Sequence, residues 1–142
     1  MDEWAQKWLQ TKGSNKIKAE WEESEGKFTS FSIRQNPTQY ADDIHRTQRF
    51  NIGLYNDDGS LEELIENVTL EATEITVIEV MKDKKKPAAI LLNADDWGFG
   101  YFELDDQSVK VFEQCLARVQ NKLDIAVVIG QIISMMKQIA YP

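Results

Sequence analysis

An antiparallel β-sandwich with flanking helices is the fold class that this 142-residue sequence predicts. Two changes of hydrophobic period and a regular series of turn signals predict it. Across residues 16–104 apolar side chains alternate with polar ones, the period of a half-buried strand. Before and after that stretch they recur every three or four positions, the period of a helix. Ser24-Glu25-Gly26, Asn36-Pro37, Asn56-Asp57-Asp58-Gly59, residues 82–87 and residues 93–98 cut the middle stretch into about seven short strands. Seven strands with no helical pattern between them fit two packed sheets, because a parallel sheet needs helical crossovers.

The first element is a short helix. Trp4 and Trp8 lie four apart with Leu9 beside them, and Glu3, Gln6, Lys7 and Gln10 cover the rest. Lys12-Gly13 closes it, since glycine accepts the left-handed cap. Three turns are too short to be stable alone, so the tryptophans need something to bury against. The strands follow: Ile17, Ala19 and Trp21 alternate, as do Thr29, Phe31 and Ile33, and then Phe50, Ile52 and Leu54. Further extended runs cover residues 61–70, 74–80, 88–93 and 98–104, and residues 36–46 form one long polar loop.

Two helices end the chain. Asp105 or Asp106 can cap the first, whose stripe is Val109, Phe112, Leu116 and Val119. Residues 121–124 break it, and Asp124 can cap the next. In that last helix Ile125, Val127, Val128, Ile129, Ile132, Ile133, Met135, Met136 and Ile139 point in nearly every direction. A helix apolar all round belongs inside a larger body than a small sandwich provides. Both ends thus carry apolar helical surface with no evident partner within the chain. The expectation is a part of a larger protein, or an obligately bound one.

Charge narrows the partners. Asp and Glu number 24 against 16 Lys and Arg, a net charge of −8. Phosphate backbones and anionic membranes require a cationic face, so neither nucleic acid nor a membrane is expected. The longest apolar region, residues 123–136, is interrupted by Asp124, Gly130, Gln131 and Ser134, and is shorter than a bilayer span. A single cysteine, Cys115, excludes an internal disulfide. With no signal-peptide pattern, a cytoplasmic protein is expected.

Little catalytic chemistry is present. The one histidine, His45, has no partner at metal-ligand spacing, and H-E-x-x-H is absent. Cys115 has no His or Asn at a recognisable spacing and reads as a buried structural thiol. Gly98-Phe99-Gly100 lacks the third glycine of a dinucleotide loop. Acidic doublets stand at Asp42-Asp43, Asp57-Asp58, Asp95-Asp96 and Asp105-Asp106. Asn56-Asp57-Asp58-Gly59 lacks the other ligands of a calcium loop and reads as a hairpin turn. The basic run Lys82-Asp83-Lys84-Lys85-Lys86 reads as a solvated turn, and the sequon Asn67-Val68-Thr69 as a chance match inside a strand. No catalytic residue and no metal ligand is assigned in this chain, and substrate-binding residues stay unassigned.

Four stretches together resemble one family, the aminopeptidase N class of gluzincin zinc metallopeptidases. Trp4-Ala5-Gln6-Lys7-Trp8-Leu9-Gln10-Thr11-Lys12-Gly13 resembles the helix that ends that family's catalytic domain. Phe31-Ser32-Ile33-Arg34-Gln35 resembles a strand that follows it. R-F-N-I-G-L-Y-N-D-D-G, residues 49–59, is similar to the family's hairpin. L-L-N-A-D-D-W-G-F-G-Y-F-E-L-D-D-Q-S, residues 91–108, resembles the segment leading from sandwich to helical domain. The resemblance covers essentially the whole chain, in order and in spacing.

It implies three regions: the end of a catalytic-domain helix at 1–13, a β-sandwich at 14–104, and the first helices of a helical domain at 105–142. It also implies a parent that removes residues from peptide N-termini with a zinc ion, none of whose ligands lie in this chain. The implied partners are the parent's catalytic and helical domains, and the implied role is that of a non-catalytic spacer. One departure stands out: where members often carry an arginine near the start of the last helix, this chain has Ile125. The other reading is a stand-alone sandwich that grips a partner through the apolar last helix or the 36–46 loop. Self-association through Ile125, Ile129, Ile132 and Met136 is a further expectation.

Overall fold

The computed structural model describes residues 15–37, 45, 47–96, 98 and 100–140. The helix expected over residues 1–13, and positions 38–44 and 46 of the polar loop, lie outside the described residues. Seven strands form two sheets: β1 (Asn15–Ser24), β2 (Lys27–Pro37), β3 (Gln48–Tyr55), β4 (Leu61–Leu70), β5 (Ile75–Val77), β6 (Ala89–Ala94) and β7 (Tyr101–Phe102). One sheet has the order β5-β2-β1-β7 and the other β4-β3-β6. The ladders are antiparallel except one: β7 joins β1 in parallel, Lys16 opposite Tyr101 and Ile17 opposite Phe102. The first sheet is therefore mixed. A parallel neighbour is possible there because β1 and β7 lie far apart in sequence and need no hairpin between them.

The inward faces bury Ile17, Phe28, Phe31 and Ile33 from the first sheet against Phe50, Ile52, Leu54, Ile65, Val68, Leu70, Ile90 and Leu92 from the second. Each such side chain contributes about 1.5–3 kcal/mol by leaving water. The simple alternation breaks at bulges, where one extra residue reverses the facing of all that follow. Thr29, expected on the inner face with Phe31 and Ile33, is exposed, and Phe28 is buried instead. The register slips there: Glu22 faces Ser30 but Glu23 faces Phe28. In β4, Ile65 and Val68 both point inward because Phe50 and Ile52 skip two residues of the partner strand between them. The left-handed bulge residue Asn67 (φ 57°) donates its N–H to Asn51 Oδ1 at 3.0 Å. Asn93 (φ 61°) makes a third bulge, opposite Asn51 and Ile52.

The helices form a third layer. α1 (Asp106–Cys115) ends in a 3-10 turn (Leu116–Arg118), and α2 (Lys122–Ala140) follows. They pack on the outer face of the β4-β3-β6 sheet, where Tyr55, Ala89, Leu91, Ala94, Phe112, Cys115 and Val128 make a second core. Every residue of β6 is consequently buried. Asp105 caps α1, accepting from the Ser108 N–H at 3.1 Å. Its inner row is Ser108, Phe112 and Cys115, with Val109 and Leu116 half-buried beside it. Asn121, not Asp124, caps α2: its Oδ1 accepts from Leu123 N–H (3.0 Å) and Asp124 N–H (3.3 Å). Asp124 sits one turn in and reaches down to the sheet.

The helices also finish an edge. β6 is the outer strand of its sheet, with backbone groups that the ladder to β3 leaves unpaired. Ser108 Oγ accepts from Ile90 N–H at 2.8 Å, Gln131 Nε2 donates to Leu92 C=O at 2.9 Å, and Gln107 Nε2 donates to Ala88 C=O at 3.2 Å. On α2, Asp124, Val127, Val128 and Gln131 are buried, while Ile129, Ile133 and Met136 remain 42%, 47% and 63% exposed. The described residues cover one side of this helix only.

Candidate functional site

The polar groups of the second core converge where β3, the end of β6 and the start of α2 meet. Tyr55, which ordinary alternation along β3 places on the helix side, opposite Phe50, Ile52 and Leu54, donates its hydroxyl hydrogen to Asp124 Oδ2. Both side chains are essentially sealed from solvent, at 1% exposure each. The other oxygen, Asp124 Oδ1, accepts from the Asp95 N–H at 2.8 Å. Asp95 in turn accepts from Asn121 Nδ2 (2.8 Å) and Asn51 Nδ2 (3.2 Å). Asn51 then holds the β4 bulge through Asn67. Five side chains from β3, the end of β6 and the start of α2 thus share one hydrogen-bond network.

Left-handed backbone brings these groups together. Asn93, Asp95 and Asp96 have φ of 61°, 65° and 59°, a conformation that Asn and Asp tolerate better than other side chains. Asn93 pins the following turn, its Oδ1 accepting from Gly98 N–H at 2.6 Å. Burial pushes the Tyr55 hydroxyl well above its ordinary range, and the Asp124 carboxylate pushes it further. The phenol is therefore a fixed donor, not a base. Each carboxylate oxygen in the network already accepts a hydrogen bond, so the arrangement positions the helices on the sheet and leaves no free base or nucleophile.

A second network ties the first sheet together. Arg34 Nε and Nη2 bond Glu20 at 2.8 and 3.3 Å, and Arg34 Nη1 bonds Glu74 at 2.6 Å, spanning β1, β2 and the approach to β5. The Arg34 guanidinium holds the Glu20 carboxyl below the usual carboxylate range. Next to it, buried Gln35 accepts from Asn15 Nδ2 at 2.7 Å and donates to Glu71 C=O at 2.6 Å.

The groups singled out in the sequence lie apart. His45 is half-buried at the end of the polar loop. Cys115 is a free, buried thiol, raised by burial, at the end of α1. Asp58 closes the β3–β4 turn by accepting from Ser60 N–H (2.9 Å) and Ser60 Oγ (2.6 Å), and the Ser60 hydroxyl holds its carboxyl low. Gly59 (φ 91°) brings that turn against α1: a Cβ there would stand 2.9 Å from the Cys115 carbonyl oxygen. The basic run straps the sheets together, with Lys84 on Glu63 at 3.0 Å and Lys86 on Glu23 at 3.3 Å. Lys86 also lies 5.5 Å over the Trp21 ring, which stacks on Phe31. The sequon residue Asn67 is the exposed β4 bulge.

Over 129 residues the chain is 32% identical to "Aminopeptidase N" of Streptomyces lividans. The chain is related to that protein. The match takes in 84% of this chain and 15% of the relative, so the chain spans a small part of the length of the curated relative it matches. No family model matches the chain. Some of the residues quoted for the aminopeptidase N resemblance lie in these networks: Arg34 in one, with Gln35 beside it, and Asn51, Tyr55 and Asp95 in the other.

A zinc ion does not fit the described residues. Among them no three His, Cys, Asp or Glu side chains gather at metal-binding distance. The carboxylates of Asp95 and Asp124, which share one network, are spent on N–H and O–H donors. Among the described residues, no helix is long and apolar enough to cross a membrane. Of the expected self-association residues, Ile125 and Ile132 pack partly against the second core, whereas Ile129 and Met136 face outward. Sequence reading saw Asp95 as a turn residue and Asp124 as a cap, and did not single out Asn51. The available signal was Asn51 near the start of a strand, Asp95 just past the end of another, and Asn121 and Asp124 at the start of the last helix.

Proposed function

We propose that this chain is the β-sandwich and first helices of a zinc aminopeptidase, a non-catalytic spacer between a catalytic domain and the remainder of a helical domain. The carrying observation is the 32% identity to aminopeptidase N along 84% of the chain. In this reading the parent carries the zinc ion and the peptide N-terminal hydrolysis. The parent's catalytic and helical domains are the partners, residues 1–13 are the end of the catalytic domain's last helix, and the parent works in the cytoplasm. The outward row Ile129, Ile133 and Met136 then faces further helices of the same parent.

Aminoacyl-amide hydrolysis by the purified chain, measured with its zinc content, tests the proposal. The expected result is neither turnover above buffer nor stoichiometric zinc. Turnover together with one bound zinc per chain would overturn it.

A further inference from the structure

The outward side of α2 carries an apolar row with a regular period. Ala126, Ile129, Ile133 and Met136 are exposed and spaced three, four and three apart. That is the a and d spacing of a coiled-coil seam over two heptads. The row lies on the side of the helix away from Asp124, Val128 and Gln131, which face the sheet. Large apolar side chains scattered singly over a surface need no partner, whereas a line of them on one rigid helix is a docking face. Gly130 stands beside the row, where a Cβ would meet nothing within 4 Å, so the backbone can be approached closely there.

Charge selects the occupant. Lys137 is exposed near the end of α2, two turns beyond Gly130 on the same flank of the row. Asp96 is exposed at the other end of that flank, where it shares the walls of a surface cavity of about 300 Å³ with Ala126 and Gly130. The face is therefore acidic at one end and basic at the other. A second copy turned end for end presents its Lys137 to Asp96 and its Asp96 to Lys137. A two-fold axis perpendicular to the helices sets each flank beside the same flank of the other copy, so both pairs form together. A parallel pair would leave Asp96 and Lys137 at opposite ends. The apolar side chains agree with the antiparallel direction. Centred on position 131, it sets Ile129 against the partner's Ile133 and Ala126 against the partner's Met136, each twice. A small side chain then faces a long one, and branched side chains meet in the middle. The exposed ion pairs add little energy and choose the direction, while the apolar row supplies the affinity.

We propose that α2 pairs antiparallel with α2 of a second copy of this chain, through Ala126, Ile129, Ile133 and Met136 and two Asp96–Lys137 pairs. This concerns the 142-residue chain by itself and goes beyond the aminopeptidase reading, whose hydrolysis test comes out the same whether or not the chain dimerises. In a longer parent, further helices would compete for the same row.

Sedimentation equilibrium of the full chain tests it. The mass is expected to rise with concentration from 16.4 kDa to about twice that. Ile133→Lys, on the exposed side of a helix whose other side holds the fold, is expected to stay monomeric with unchanged circular dichroism. Lys137→Glu is expected to weaken the dimer about five- to ten-fold, and Asp96→Asn added to it to recover part of that loss. Asparagine tolerates the left-handed backbone of position 96. Direction is read from disulfides in a Cys115→Ala background. Ala126→Cys mixed with Met136→Cys is expected to cross-link readily, and Met136→Cys alone is not. A single 16.4 kDa species at all concentrations overturns the proposal, as does a dimer that Ile133→Lys leaves intact. A Met136→Cys homodisulfide forming faster than the mixed one overturns it too, because the helices then run parallel.

Discussion

Tyr55 and Asp124 lie 69 residues apart in the chain and meet in a site closed to water. Removing the phenol oxygen leaves the carboxylate without one of its donors while the ring keeps its edge-to-face contact with Phe112. Tyr55→Phe should therefore cost about 1.5–3 kcal/mol, read as a lower urea midpoint at neutral pH. The same residue gives an alkaline signature. Its folded-state pKa is raised above the ordinary 10.0, so the unfolded chain loses that proton first as pH rises. The contribution is complete below about pH 10 and declines above it, and Tyr55→Phe should show a shallower alkaline fall in stability. Equal slopes in the two proteins would contradict this. At Gly59 the argument is steric. Its left-handed backbone and the Cys115 carbonyl 2.9 Å from a would-be Cβ make Gly59→Ala cost on the order of 1–3 kcal/mol by the same measurement.

At the scale of elements, β6 shows how strand and helix depend on each other. Its interior face is filled by Ile90 and Leu92, its other face by α1 and α2, and its free edge by Ser108 and Gln131. Ser108→Ala leaves the Ile90 N–H buried and unpaired, a loss of about 1–3 kcal/mol. Amide exchange should show Ile90 losing protection beyond its β6 neighbours; uniform loss across β6 would mean the hydroxyl caps only α1. The elements themselves were largely readable. Strand existence followed from alternation, and α1 from a capping Asp and an apolar row. Facing was less readable: Phe28, Val68 and Ala94 lie on faces that unbroken alternation does not assign them, because bulges form between strands and leave only weak local marks.

For the whole molecule, the helices are a third layer and not an appendage. A chain ending at Leu104 would expose Tyr55, Ala89, Leu91 and Ala94 together with the β6 edge, an apolar patch next to unpaired strand backbone. That truncation is expected to aggregate or to lose its cooperative transition. Residues 1–142 should instead melt with helical ellipticity and Trp21 fluorescence changing together. A separate, earlier helical transition would show that the layers fold independently.

The sequence by itself determined the two-sheet class, most of the turns, the two C-terminal helices and the poverty of metal-ligand spacings, because each is written in local period and residue type; Asn36-Pro37, expected as a turn, instead ends β2, paired with Lys16 and Asn15. It also carried the aminopeptidase N resemblance, borne by residues such as Arg34, Asn51, Tyr55 and Asp95 whose purpose was not visible there. The tertiary structure decided that β7 runs parallel to β1, which side of α2 is covered, and that Asp124 reaches the sheet while Asn121 caps the helix. Those outcomes rest on contacts between residues tens of positions apart, where burial, register and hydrogen-bond satisfaction are settled jointly and no local pattern records the result.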